Sequence, residues 1–157
     1  MIDTLAERVL CIVASRLADI ARMDYYATDA GLRVLRARRT LDVAELPALV
    51  LWDDGEQAAD AAGSNQSMAI TLNLTVDAHV TADQDCTGAM LERIRADVKR
   101  ACLIDRGALA DQRGAIGVLT YTGTDTQARS DGACSESVAV HFIANYKEAY
   151  GDPTTAR

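Results

Sequence analysis

Two histidines, four cysteines and a short acidic run are the residues of this chain with the most evident chemistry to offer. Nucleophilic catalysis needs a nucleophile, a base and an orienting group that converge, and neither histidine sits in a motif that supplies them. His79 and His141 each fall at the polar position of an alternating apolar and polar stretch. They read more readily as solvated or interface histidines than as catalytic ones. Cys11, Cys86, Cys102 and Cys134 form no Cys-x-x-Cys pair, and so few histidines leave no set with metal-ligand spacing. They read as small apolar residues or free thiols in a reducing compartment. Asp53, Asp54 and Glu56 offer carboxylates to a divalent cation but lack the spaced ligands and terminal Glu of an EF-hand loop. Gly114-Ala-Ile-Gly117 has neither phosphate-loop Lys-Ser/Thr nor a Gly-x-Gly-x-x-Gly pattern. The expectation is therefore a protein without a catalytic centre, metal or cofactor.

The arginines carry a stronger signal. In an extended backbone Arg36 and Arg38 share one face, and Arg33 and Arg39 the other. A strand charged on both faces is either an edge protected against unwanted pairing or a cationic patch facing an acidic partner. The acidic run 53–56 is the natural counterpart, on a neighbouring copy or another protein.

The elements that must position these groups follow from periodicity. Leu5, Val9, Ile12, Val13, Leu17, Ile20 and Ala21 recur at helical spacing after a Thr4-x-x-Glu7 capping box, predicting a helix of roughly five turns that ends near Met23-Asp24. Two strands follow, "LRVLRARRTL" and "LPALVLWDD", with Pro47 at a strand start. Residues 53–67 show no apolar period and read as a long exposed loop. The stretch 68–80 alternates strictly and predicts a long strand with one buried face. A second helix, capped at Thr81-x-x-Gln84 and reaching Cys102, has Glu92, Arg93, Asp97 and Lys99 on a solvated outer face. A connector from 103, two closing strands around a polar loop at 124–134, and a polar tail at 151–157 complete the chain. The fold class expected is α+β: a mixed or antiparallel sheet of about five strands with both helices packed on one face.

Length and composition set the frame. A chain of 157 residues with 49% hydrophobic residues and 2 prolines fits one globular domain spanning 1–157, without a second domain or repeat. The net charge of −7 argues against a protein whose main affinity is for phosphate backbones. The apolar run Val9 to Ala14 is flanked by charges and too short for a membrane span or signal, so no membrane is expected, and the Asn65-Gln66-Ser67 sequon carries no weight.

Taken together, "LRVLRARRTLDVAELPALVLW", the alternating strand 68–80, the helix ending "LERIRADVKRACLID" and the closing "VAVHFIANYKEAYGDPTTAR" resemble the tail terminator (tail completion) proteins of long-tailed bacteriophages. The resemblance implies a structural virion protein: a subunit of a hexameric ring that caps the tail tube protein, ends its polymerisation and docks the head-tail connector protein. It would be made in the host cytoplasm and reside at the head-proximal end of the virion tail, with genomic DNA passing through the lumen unbound. The acidic total suits such a channel, because phosphates are repelled rather than held. Contacts to neighbours are expected from Arg33, Arg36, Arg38, Arg39, Asp53, Asp54 and Glu56. Tyr146, Tyr150, Asp152 and Arg157 join them, on a C-terminal segment released from the sheet at Gly151-Asp152-Pro153. The alternatives are a head-tail joining (neck) protein, and a small dimeric α+β ligand-binding domain or enzyme.

Overall fold

Two strands of 15 residues each, Ser67–Thr81 and Ser135–Ala149, pair antiparallel along their whole length and form the spine of the molecule. The computed structural model describes residues 3–59, 66–85, 88–127 and 132–157. In chain order the elements are α1 (Leu5–Ala18), β1 (Val34–Arg36), β2 (Ala48–Ala58), β3 (Ser67–Thr81), α2 (Ala89–Cys102), β4 (Ala108–Asp111), β5 (Gly114–Thr126), β6 (Ser135–Ala149) and β7 (Asp152–Ala156). The sheet runs β1-β2-β3-β6-β5-β4. Among the described residues only the β1–β2 pair is parallel, so the sheet is mixed.

The α+β class holds, but the sheet has seven strands rather than about five. Both additions are short. β4 lies in the stretch read as a connector, where four residues turn back as a hairpin with β5. β7 lies in the expected free tail. There Ala149 pairs with Asp152 and Glu148 with Ala156, and the Arg157 amide donates to the Lys147 carbonyl at 3.0 Å. β5 leaves β6 at the Gly117–Tyr146 pair, so β7 takes up hydrogen-bonding positions of β6 beyond the end of β5. The segment 151–157 is thus a closing strand, not a released tail.

The loops at 53–67 and 124–134 are also shorter than expected. β2 continues to Ala58 and β5 to Thr126, because polar residues on an antiparallel hairpin alternate between water and partner strands without an apolar period. The remainder of both loops, 60–65 and 128–131, lies outside the described residues, as do Asn65 of the sequon and Cys86.

Core packing follows the alternation of β3. Ile70, Leu72, Leu74, Val76, Ala78 and Val80 are buried and meet Val138, Val140, Phe142 and Ala144 of β6 beneath the two helices. Each such large side chain contributes roughly 2 kcal/mol relative to its exposed state. Both helices add to this one core, α1 through Leu5, Val9, Val13 and Leu17 and α2 through Ile94, Val98 and Cys102. α1 touches β1 and β2 at one end of the strand order and β4 at the other, so the sheet curls around it.

α1 is shorter than its periodicity suggests. It ends at Ala18, and the chain turns so that the Gly31 amide donates to the Ile20 carbonyl at 3.1 Å. A Cβ on Gly31 would lie 2.4 Å from the Leu17 carbonyl oxygen, so only glycine permits this closure. Thr4 accepts from the Glu7 amide as a cap should, at 3.2 Å, but the Glu7 carboxylate goes to Arg36 instead of returning to Thr4. Thr81 and Gln84 do form reciprocal bonds, yet these close a turn after β3. α2 starts later, at Ala89, where the buried Asp85 accepts from the Met90 and Leu91 amides at 2.8 and 3.2 Å.

Candidate functional site

The arginine cluster is built around a very short strand. β1 spans only Val34–Arg36, and Ala37 has φ of 50°, so the expected alternation of Arg33 and Arg39 against Arg36 and Arg38 does not continue past Arg36. Arg36 grips Glu7 of α1 with two bonds of 2.6 and 2.9 Å, and Arg38 meets Glu45 at 2.9 Å. The Arg36 guanidinium holds the Glu7 carboxyl below its usual range. These two arginines serve the subunit's own fold. Arg33 and Arg39 are exposed, and neither forms an ion pair among the described residues.

The acidic run is divided by the sheet. Asp53 pairs with Leu74 and Glu56 with Leu72, on the helix-bearing side, whereas Asp54 points the other way into an irregularity at Gly55. On the open face Asp54 accepts from the Thr75 hydroxyl, His141 Nδ1 lies 2.9 Å from the Thr75 oxygen, and His141 Nε2 lies 3.0 Å from Asp125. This chain of contacts crosses β2, β3, β6 and β5. Thr75 is buried and its one proton is spent on Asp54, so the array acts as a lateral strut. Beside it Trp52 donates to Asp77 at 2.8 Å, and burial raises the Asp77 carboxyl while lowering neighbouring His79.

At the far end of β6 the carboxylates regroup. Tyr146 donates to Glu56 at 3.2 Å, and burial, with the Glu56 charge nearby, pushes the Tyr146 phenol up. Glu148 is only 7% exposed, and its carboxyl is raised by burial and then by Glu56 and Asp152. Asp152 is held below its ordinary value chiefly by the Thr154 hydroxyl, which donates at 2.6 Å. Between them Tyr150 and Gly151 make a two-residue hairpin, Gly151 taking φ of 78°, and Tyr150 stands 66% exposed. Arg157 is adjacent through the hydrogen bond that its backbone N–H donates to the Lys147 carbonyl. Thus Tyr146, Glu56 and Asp152 do come together through Glu148, which the sequence did not single out, while Tyr150 stands exposed on the neighbouring turn.

A second feature was legible only as a break in helical pattern. Met23, Tyr25 and Leu32 are 96%, 92% and 85% exposed, all within one segment. Its backbone is nonetheless tied down. Asp97 of α2 is buried, not solvated, and accepts from the Ala27 amide, the Thr28 amide and the Thr28 hydroxyl at 3.1, 2.8 and 2.7 Å. Arg100 donates to the Tyr25 carbonyl, and Tyr25 holds φ of 73°. No periodicity marks Asp97 for this role, because the donors it satisfies lie far away in the chain. The only signal in the sequence is the break in helical pattern after Met23-Asp24.

Next to this segment lies an open groove of about 400 Å³ between Arg22, Leu32, Arg33, Leu46, Pro47 and Met90. It sits where β2 begins, since the Leu49 amide bonds the Arg33 carbonyl and Ala48 pairs with His79. The Tyr150 hairpin sits where β3 begins, since Ser67 pairs with Ala149. From residue 67 to 79 of β3 the separation is roughly 40 Å at about 3.3 Å per residue. The molecule therefore carries an open groove lined by both apolar and charged side chains at one end and an exposed aromatic turn at the other. No family model and no curated protein matches this sequence.

Proposed function

We propose that this chain is a structural virion subunit that assembles into a ring, caps the tail tube of a long-tailed phage, ends its polymerisation and offers a docking surface to the head connector. The observation that carries the reading is the ordered, outward-facing apolar segment at Met23, Tyr25 and Leu32. Side chains of this size, held by a fixed backbone and left in water, suit an interface that is completed by another chain. The two unlike ends supply the second requirement, because a ring closes through head-to-tail contacts between different surfaces. The sequence resemblance supplies the biological setting, and six-fold symmetry comes from that resemblance.

Under this reading the acidic total keeps DNA moving through the ring, and the open sheet face, with Asp54, Asp77 and Asp125, offers carboxylates to a lumen or a neighbouring ring. The test is the length of tails assembled without the protein. A phage lacking this chain should yield tubes of irregular and excess length that fail to join heads, with normal length restored when the chain is supplied. Tails of unchanged, uniform length without it would remove the capping role.

A further inference from the structure

We infer that Glu148 is a proton-operated latch: protonated, it lets β7 close over the end of β6, and ionised, it drives β7 off. The register of the strands carries the argument. Glu148 follows Phe142, Ala144 and Tyr146 at alternate positions of β6, so it points with them to the helix-bearing side of the sheet. There it is only 7% exposed. Across the ladders it faces Met68 of β3 on one side and Ala156 of β7 on the other, and both of these pack against the core. Neither side chain has a donor to offer. No hydrogen bond or ion pair to the Glu148 carboxyl is present among the described residues. A carboxylate without a donor is costly to bury, and the neutral acid far less so.

The charges that reach Glu148 have one sign. Glu56 of β2 and Asp152 of β7 both act on it, and Asp53 acts on neighbouring Tyr146, whose hydroxyl goes to Glu56 rather than to Glu148. Lys147 alternates to the opposite face of β6, and Arg157 acts on Asp152. Among the described residues α1, α2, β3 and β5, the other elements packed against β6 and β7, bring no charge to it. Burial first, and then the two carboxylates, raise its carboxyl above an ordinary 4.5. β7 is the piece that yields. It joins β6 through the Glu148–Ala156 and Ala149–Asp152 pairs and the Arg157 amide, whereas β6 is held along its whole length by β3. When Glu148 ionises, the lightly held strand moves aside, the carboxylate reaches water and Asp152 is carried away from it. The docked chain keeps a proton on Glu148 that an undocked one releases. Docking is therefore fully stabilised below 4.5 and weakens as pH rises through the raised value.

The experiment uses the full chain. Carbon NMR follows the Glu148 carboxyl through a pH titration, and hydrogen exchange read by mass spectrometry follows residues 150–157 in wild type and in Glu148→Gln. The carboxyl should titrate above 4.5. Exchange in 150–157, corrected for its intrinsic pH dependence, should rise several-fold over the same interval in wild type and stay flat in Glu148→Gln. Urea unfolding should place the variant ahead of wild type by a gap that opens as pH rises above 4.5 and levels off beyond the measured midpoint. Glu56→Gln supplies an arm that keeps Glu148 itself intact: the Glu148 midpoint should fall towards 4.5, because one negative neighbour is gone. A Glu148 carboxyl that titrates at or below 4.5 overturns the latch. A raised midpoint with equally steady exchange of 150–157 in both chains overturns it too, since β7 would then hold whatever the charge on Glu148.

Discussion

Glu7 and Arg8, neighbours in the first turns of α1, hold opposite edges of the sheet: Glu7 binds Arg36 on β1, and Arg8 binds Asp111 on β4 at 2.7 and 2.8 Å. One helix thereby closes the curl through two side chains adjacent in sequence. Arg16 strengthens the β4 side, donating to the Cys102 carbonyl at 2.9 Å and to the Ala108 carbonyl at 2.5 Å.

The two clasps differ in depth, and this gives the first prediction. Arg8 is buried and makes two charged bonds, whereas Arg36 and Glu7 are both well exposed. Arg8→Ala should cost about 2 kcal/mol, while Arg36→Ala should cost under about 1 kcal/mol. Urea midpoints at constant m-value measure both. Equal costs would show that the β4 clasp is no tighter than a surface pair.

The same pair sets a pH dependence. The Arg8 guanidinium holds the Asp111 carboxyl down at about 2 from an ordinary 3.8. A depressed folded-state value stabilises the protein above the unfolded value and is lost as pH falls through the folded one. The stability gap between wild type and Arg8→Ala should be constant at neutral pH, shrink below about pH 4 and disappear only below about pH 2. A gap that grows on acidification would contradict this assignment.

Asp97 gives a third. With three donors converging on a buried carboxylate, Asp97→Ala should destabilise by about 3 kcal/mol, leaving the Ala27 and Thr28 amides and the Thr28 hydroxyl unpaired. Hydrogen exchange at those amides should rise sharply. A change below about 0.5 kcal/mol, as for a solvated helix position, would return Asp97 to the role its spacing suggests.

Gly31→Ala forms the fourth. The new methyl would meet the Leu17 and Ile20 carbonyl oxygens at 2.4 and 2.7 Å, both backbone atoms that do not swing aside. A loss of roughly 2 kcal/mol is expected, with loosening of the apolar segment that follows α1, read by thermal unfolding and proteolysis. An unchanged melting temperature would mean that the turn after α1 shifts freely.

These cases show what was legible beforehand. β3 and β6 announce themselves, since one face buries apolar residues and period-two alternation records it. Core positions of α1 and α2 are legible for the same reason at helical period. What periodicity cannot express is satisfaction of polar groups by distant partners: Asp97 looks like a surface residue until Thr28 arrives, and Asp85 caps a helix without any capping motif. Short edge strands such as β4 and β7 are too brief to set up a period. Of the residues expected at a subunit contact, Arg33, Arg39 and Tyr150 are exposed in the structure. Arg36 and Arg38 were assigned outward because their partners, Glu7 and Glu45, lie on other elements.

The central claim is that the chain builds rings, and its most direct test is the native mass of the purified protein across a concentration series, with negative-stain imaging of the largest species. The expected result is a concentration-dependent rise to a six-fold ring with an open centre. A tight dimer whose mass does not change with concentration would contradict it, since a closed two-fold interface has no surface left to add a third subunit.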